Sequence, residues 1–551
     1  MKRAIVVAVA VCTPLLCSGG QARAQQRRPS DARLAAAVRA DAVWAPLRFL
    51  SDDLLEGRGT ARRGGRLAAQ YLAAQFMALG LEPAGEGGTW FQQVPIASLD
   101  PSPAIALITG GARRELRYRE EFVAWSERVD TLVHDSAEVV FVGYGIAAPE
   151  WRWDDYKGTD LKGKILLILV NDPGLRDASL FRGRTLTYYG RWTYKLEEAA
   201  RRGASGVLLI HDDTMATYGW STVENSWTGP QARLDAPPTS LTFAGWLTGR
   251  TAADLLASRG LDLARLMAAA ERSDFRPLPT GIDAVVTVRS SLSRLTTANV
   301  VARLPGRDPA LAKQVVVISA HYDHLGIGRA VDGDSILNGA VDNASGVATM
   351  LGVADAFART GLRPRRSILF VGMAAEESGL LGSAWMAAHP PVPAAAVAAD
   401  LNVDGANLFG RTRDIAALGL DQSSLGGVFR RAAGAERLRV TVDSQALTRG
   451  AFFRSDHFSF ARAGVPSLSW EGGHDFVGRP AGWGREQERI YERDRYHQPA
   501  DNLLPWYGVD GAVQEARVLA RVAWAVGEAL SPPRWETTSE FAAAGRRRGA
   551  P

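Results

Sequence analysis

Val315-Val-Val-Ile-Ser-Ala-His321-Tyr-Asp323-His324 is an apolar run that ends abruptly in ionisable side chains. An apolar run with no polar alternation is what a strand buried on both faces requires, and such strands belong to largely parallel sheets covered by helices. The pattern recurs down the chain. Residues 367–372, 395–401 and 466–470 read as further buried strands, and 345–357, 379–388 and 511–530 read as helices. Strand, loop and helix in alternation imply an α/β fold, with a mixed, centrally parallel sheet flanked by helices.

The polar ends of these runs carry the chemistry. His321 sits just past the first strand, Glu376 and Glu377 past the second, and Asp404 past the third. Asp342 lies in Val-Asp342-Asn343-Ala-Ser-Gly, a loop opening onto the 345–357 helix, and Tyr496-His497-Gln-Pro-Ala-Asp501 follows nearly a hundred residues later. In open α/β sheets the loops beyond the strand carboxyl ends build the functional crevice, so these segments are expected to converge. Two histidines and three carboxylates suit zinc, and one spare carboxylate suits a general base, which points to hydrolysis. A helix-start dipole would also favour paired glutamates, but that leaves the other four segments unexplained.

In this order the motifs resemble the secreted zinc aminopeptidases of the bacterial leucyl-aminopeptidase type, which have a zinc exopeptidase fold. The resemblance covers roughly residues 40–125 and 295–530. It implies two Zn2+ bridged by Asp342, with His321 and Asp404 completing one and Glu377 and His497 the other. Glu376 would be the general base, and Asp323 and Asp501 would orient the imidazoles of His321 and His497. It also implies a cis peptide after Asp342. Between the two parts, Gly143-Tyr-Gly-Ile, the 155–164 stretch and Gly190-Arg-Trp-Thr-Tyr-Lys195 resemble the protease-associated (PA) domain of the same enzymes. One departure is Gly405-Ala-Asn after Asp404, where many relatives carry a bulkier apolar pair, so the pocket shape is open. Arg454, His457, Phe452, Phe453 and Phe458 are candidates for the substrate pocket, with loop packing as the alternative for His457 and the aromatics.

A chain of 551 residues exceeds one core. The expected divisions are 1–24 as a signal peptide, 25–130 as an N-terminal helical part of the peptidase domain, 131–292 as the inserted α+β PA domain, 293–532 as the zinc peptidase domain, and 533–551 as a basic, disordered tail. Lys2 and Arg3, an apolar run to Leu16 and Ala22-Arg-Ala24 fit a secretory leader, so the chain is expected to be exported, periplasmic or extracellular. Bulky Leu16 before Cys17 argues against a lipoprotein. No later stretch is long enough to span a bilayer. Both cysteines, Cys12 and Cys17, fall in the leader, which removes disulfides and thiol chemistry from the mature chain.

The net charge of +5 is carried by the ends. Without Lys2, Arg3 and Arg23 of the leader and Arg546, Arg547 and Arg548 of the tail, the body is near −1. A basic footprint for nucleic acid is therefore missing. Gly143-Tyr-Gly lacks the third glycine of a dinucleotide loop. The tryptophans crowding the insert, Trp151, Trp153, Trp192, Trp220 and Trp227, read first as packing of a small domain and second as a carbohydrate or peptide platform.

The expected substrates are peptides with a free N-terminus. Three rivals stay open: a carboxypeptidase or dipeptidase using Arg449 and Arg454 to hold a substrate carboxylate, a glutaminyl cyclase working with one zinc, and a catalytically dead receptor or scaffold.

Overall fold

The strand Val315–His321 is buried along its whole length. It lies between Ser367–Met373 and Val397–Asn402, parallel to both. Each fully buried Val or Ile side chain here contributes about 1.5–3 kcal/mol relative to exposure. Ser467–Glu471 follows in parallel, and Asp414–Leu418 runs antiparallel outside it. The result is the expected mixed, mostly parallel sheet with helices on its faces. The structure is a computed structural model that describes residues 29–216, 218–235 and 241–548; the expected leader lies outside them.

On the other side, Ser367–Met373 pairs antiparallel with Leu278–Leu304. This strand is 27 residues long. Its earlier part pairs antiparallel with Leu132–Phe141, from which Ile165–Leu169, Gly206–His211 and Phe243–Thr248 continue in parallel. Phe122–Ser126 closes that side antiparallel. One sheet therefore runs through two apolar cores. The first holds Val316, Ile318, Phe370 and Leu401 under the helices Gly346–Thr360 and Asp510–Glu528. The second holds Phe141, Leu167, Leu209 and Trp246.

The helix Gly346–Thr360 ends where Gly361 turns left-handed at φ 63°, the usual glycine stop. Trp192–Arg201 stops before Gly203 in the same way. Among the described residues no helix is long and apolar enough to cross a membrane.

Residues 25–40 contain the helix Ser30–Ala36, whose Leu34 and Ala35 are buried and whose Asp31 pairs with Arg521 of the long closing helix. Two expectations are corrected. Residues 91–126, placed in a helical part, form Phe91–Thr109 and Phe122–Ser126; the first pairs along its whole length with residues 282–300 of Leu278–Leu304, a partner too distant in sequence for local periodicity to announce. The tail is not frayed over its described length. Trp535 Nε1 donates to Gly464 O at 3.0 Å, Phe541 is buried, and Ala542–Arg548 is helical with Arg548 donating to the Val397 and Ala394 carbonyls.

Candidate metal centre

Each expected ligand comes from a loop at one end of the central strands. His321 ends its strand, and Asp404 lies two residues past Val397–Asn402. Asp342 sits in the turn before Gly346–Thr360, and its peptide bond to Asn343 is cis. His497 follows the helix Trp483–Asp494 with a left-handed φ of 58°.

Short polar residues hold these loops together. The Asn343 amide donates to Val403 O at 2.9 Å, and its oxygen accepts from Gly346 N and Gly405 N at 3.0 and 2.8 Å. Ser345 Oγ donates to Val341 O and accepts from Ala406 N at 2.7 Å. The word Asp-Asn-Ala-Ser-Gly thus ties the Asp342 loop to the Asp404 loop. Gly339 is needed as well: at φ 58°, a Cβ there would lie 2.0 Å from Asp342 O.

The five ligand candidates converge. Asp342 Oδ1 is 3.2 Å from His321 Nε2, and Asp342 Oδ2 is 3.3 Å from His497 Nε2. His321 Nε2 also faces Asp404 Oδ1 at 3.0 Å. His497 Nε2 faces Glu377 Oε2 at 3.2 Å. Asp342 therefore divides two half-sites, His321 with Asp404 and His497 with Glu377. Donor atoms about 2.0–2.1 Å from a tetrahedral zinc stand a little over 3 Å apart, so these spacings fit zinc shells. His497 Nε2 thus faces a carboxylate oxygen of Asp342 and one of Glu377, as expected of an atom that would share a cation with them.

The two adjacent glutamates have opposite environments. Glu376 is pushed well above the ordinary carboxylate range by burial, against the charge of His321 and reinforced by Asp404 and Glu377. Glu377 is held below that range: burial would raise it, but hydrogen bonds from His324 and His497 prevail. Asp342 is likewise held well below its usual value, the two imidazoles outweighing burial. Ala375, with φ 56°, turns the chain left-handed just before the pair.

The residues behind the ligands differ from expectation. Asp501 does not orient His497. Its oxygens accept from Val341 N and Asp342 N, both at 3.1 Å, and from the Tyr491 hydroxyl, so it fixes the backbone that carries Asp342. Asp323 meets His321 through its backbone: His321 Nδ1 is 3.2 Å from Asp323 O and 3.9 Å from the carboxylate. That carboxylate accepts from Thr60 Oγ1 and Glu376 N instead. His324 places Nδ1 2.6 Å from Glu377 Oε1.

Arg58 was missed. It is 1% exposed, and its guanidinium donates to the carbonyls of Tyr322, Leu50, Asn338 and Gly339. It thereby clamps the loops that follow His321 and precede Asp342. The Leu54-Leu-Glu-Gly-Arg-Gly-Thr stretch reads as a plain loop in sequence; only its two glycines packed round an arginine hinted at a fixed conformation.

The pocket candidates separate. Phe452, Phe453 and Phe458 are buried against Tyr188 and Phe541, and His457 is buried on Phe452 with ring centroids 4.6 Å apart. Arg454 alone of the five is exposed. A cavity of about 510 Å³ opens beside His497, bounded by Arg329, Val331, Leu337 and Pro499.

Residues 299–509 match the model of Peptidase family M28, which spans every expected ligand and Glu376. This stretch is therefore similar to that peptidase family. Among characterised relatives, leupeptin-inactivating enzyme 1 of Streptomyces exfoliatus is 28% identical over 215 residues, 38% of this chain and 44% of that protein. A probable zinc metalloprotease of Pyricularia oryzae is 43% identical over 91 residues, 16% of this chain and 17% of that protein. The chain thus spans less than half the length of these curated relatives. Among solved structures, an aminopeptidase from Aneurinibacillus sp. strain AM-1 superposes with a TM-score of 0.45 at 20% identity, covering 90% of this chain and 95% of that one.

Proposed function

We propose that this chain is an exported aminopeptidase that uses two zinc ions and Glu376 to hydrolyse the first peptide bond of its substrates. One observation carries the reading: Asp342 presents one carboxylate oxygen to each of two histidines, while the neighbouring Glu376, unlike Glu377, makes no ion pair among the described residues and has a raised proton affinity. His321, Asp342 and Asp404 would hold one zinc, and His497, Glu377 and Asp342 the other. Zinc, when bound, lowers the pKa of water and polarises a carbonyl.

The chain's own groups do the rest. Glu376 takes a proton from the attacking water and returns it to the departing amine, so the C–N bond breaks without expelling an amide anion. Glu376 N donates to Asp323, which fixes the turn from which this side chain acts. The insert is read as a PA domain and residues 1–24 as an export signal.

The test is turnover of leucine p-nitroanilide against its N-acetylated counterpart, with and without chelator. Cleavage of the free-amine substrate alone, abolished by chelation, is expected. In a parallel assay with N-acetylated peptides that have free C-termini, activity confined to those peptides would replace this reading by the carboxypeptidase one.

A further inference from the structure

Resting on the peptidase reading above, we infer that the hairpin formed by Gly326–Val331 and Asp334–Leu337 walls a subsite beside His497 that takes an apolar side chain of the peptide substrate. The cavity of about 510 Å³ lies between this hairpin and the His497 loop: Gly328, Ala330, Val331 and Leu337 form one wall, His497 and Pro499 the other. That volume falls within the range of about 300–1,000 Å³ usual for ligand pockets. His497 belongs to the cavity and to the metal centre at once, since its Nε2 faces Asp342 at 3.3 Å and Glu377 at 3.2 Å. The cavity thus borders the place where a peptide bond would be cleaved.

The hairpin is anchored at its base and free along its arms. At its tip Asp332 and Gly333 have φ values of 52° and 90°, the left-handed pair that a two-residue hairpin turn requires. At its base, a Cβ on Gly57 would lie 2.4 Å from Leu337 O and 2.5 Å from Gly326 O, so the loop that carries Arg58 fits closely beneath it. His324 N donates to Arg58 O at 3.2 Å, and the Arg58 guanidinium holds the carbonyls of Asn338 and Gly339 just beyond the second arm. Gly328 leaves room for the Leu337 side chain, whose Cδ1 would stand 2.7 Å from a Cβ there. The arms themselves face water: Ile327 is 63% and Val331 46% exposed.

The wall offers carbon. Gly328, Ala330, Val331, Leu337 and Pro499 gain most from an occupant that removes apolar surface from water. The two remaining lining residues, Arg329 and Gln498, sit among them; Arg329 is exposed, and an exposed arginine covers apolar surface with its stem while its head stays in water. An apolar side chain entering from a peptide at the metal centre would cover Val331 and the Leu337 side chain together. It could belong to the residue before the scissile bond or to the one after it. The anchored base means that the cavity is present before the substrate arrives, so little ordering opposes binding.

Calorimetric titration of the full protein with uncleavable reduced-bond dipeptide amides tests this. In one series the first residue is Ala, Leu or Glu before a fixed Ala; in the other the second residue is varied after a fixed Ala. Leu should bind at least about tenfold tighter than Ala at one position or both. Val331→Trp, which fills the cavity, should cut that preference to within about twofold at the position the cavity serves, and so identifies the side of the scissile bond. Ile327→Ser, on the same hairpin but outside the cavity, should leave the preference intact. Both side chains are exposed, so both substitutions are expected to leave the fold in place. Equal binding of Ala and Leu at both positions, tighter binding of Glu than of Leu, a preference that survives Val331→Trp or one that Ile327→Ser abolishes overturns the proposal. A Val331-dependent preference without hydrolysis of the matching peptides would sink the peptidase reading while leaving the subsite; hydrolysis without that preference would do the reverse.

Discussion

His321, Asp342 and Glu377 make one cluster of potential metal ligands, and Asp443, His474 and Glu488 make another of the same residue types. In the second, the charges are already spoken for. Arg485 lies on Asp443 and 3.4 Å from Glu488. His474 Nε2 faces Glu488 at 3.1 Å. The remaining oxygen of Asp443 caps the helix Ser444–Thr448, accepting from Gln445 N and Ala446 N. In the first, the nearby guanidinium of Arg58 spends its hydrogen bonds on four backbone carbonyls. Its carboxylates are left facing imidazoles across just over 3 Å. Residue type and proximity do not by themselves make a metal site; the surroundings must withhold competing cations.

Removing metal should have the largest effect. Chelation is expected to reduce turnover to background, and added zinc to restore it, with elemental analysis returning two zinc ions per chain. If His474→Ala rather than His321→Ala lowers that count, the comparison is reversed. Glu376→Gln should keep both ions and lower kcat by about 10²–10⁴-fold, measured by steady-state kinetics beside metal analysis. Asp501→Asn leaves every ligand in place but removes an acceptor from the Val341–Asp342 backbone. It should weaken zinc binding about 10–100-fold in competition with a chromophoric chelator, and lower stability by about 1–3 kcal/mol in denaturant titration. Arg485→Gln, at the cluster that already has its counter-charge, should leave zinc content unchanged and kcat/KM within about twofold, since Arg485 pairs with Asp443 and Glu488 and with none of the expected ligands.

The ligand set was legible because each ligand lies in a short local word at the end of a buried strand, and strand ends fix where side chains emerge. Asn343 and Ser345 belong to the same word and tie it to the Asp404 loop. What the sequence hid was longer in range. Asp501 reads as a partner for nearby His497, yet the backbone amides from which its carboxylate accepts are 159 and 160 residues away. Arg58 reaches loops more than 260 residues distant. The aromatic words around Phe452 and Phe458 could signal a pocket or a core, and only the arrival of Tyr188 and Phe541 from elsewhere in the chain places them in packing.

The strand Leu278–Leu304 bears on how the molecule can be taken apart. Its first half belongs to one core and its second half lies beside Ser367–Met373 in the other. Excising the insert at its apparent boundaries would sever a continuous rod of backbone, and would strip Phe91–Thr109 of most of its pairing as well. A minimal catalytic fragment would have to keep that whole rod and bridge the gap upstream of it, so the insert is spliced into the architecture rather than hung from it.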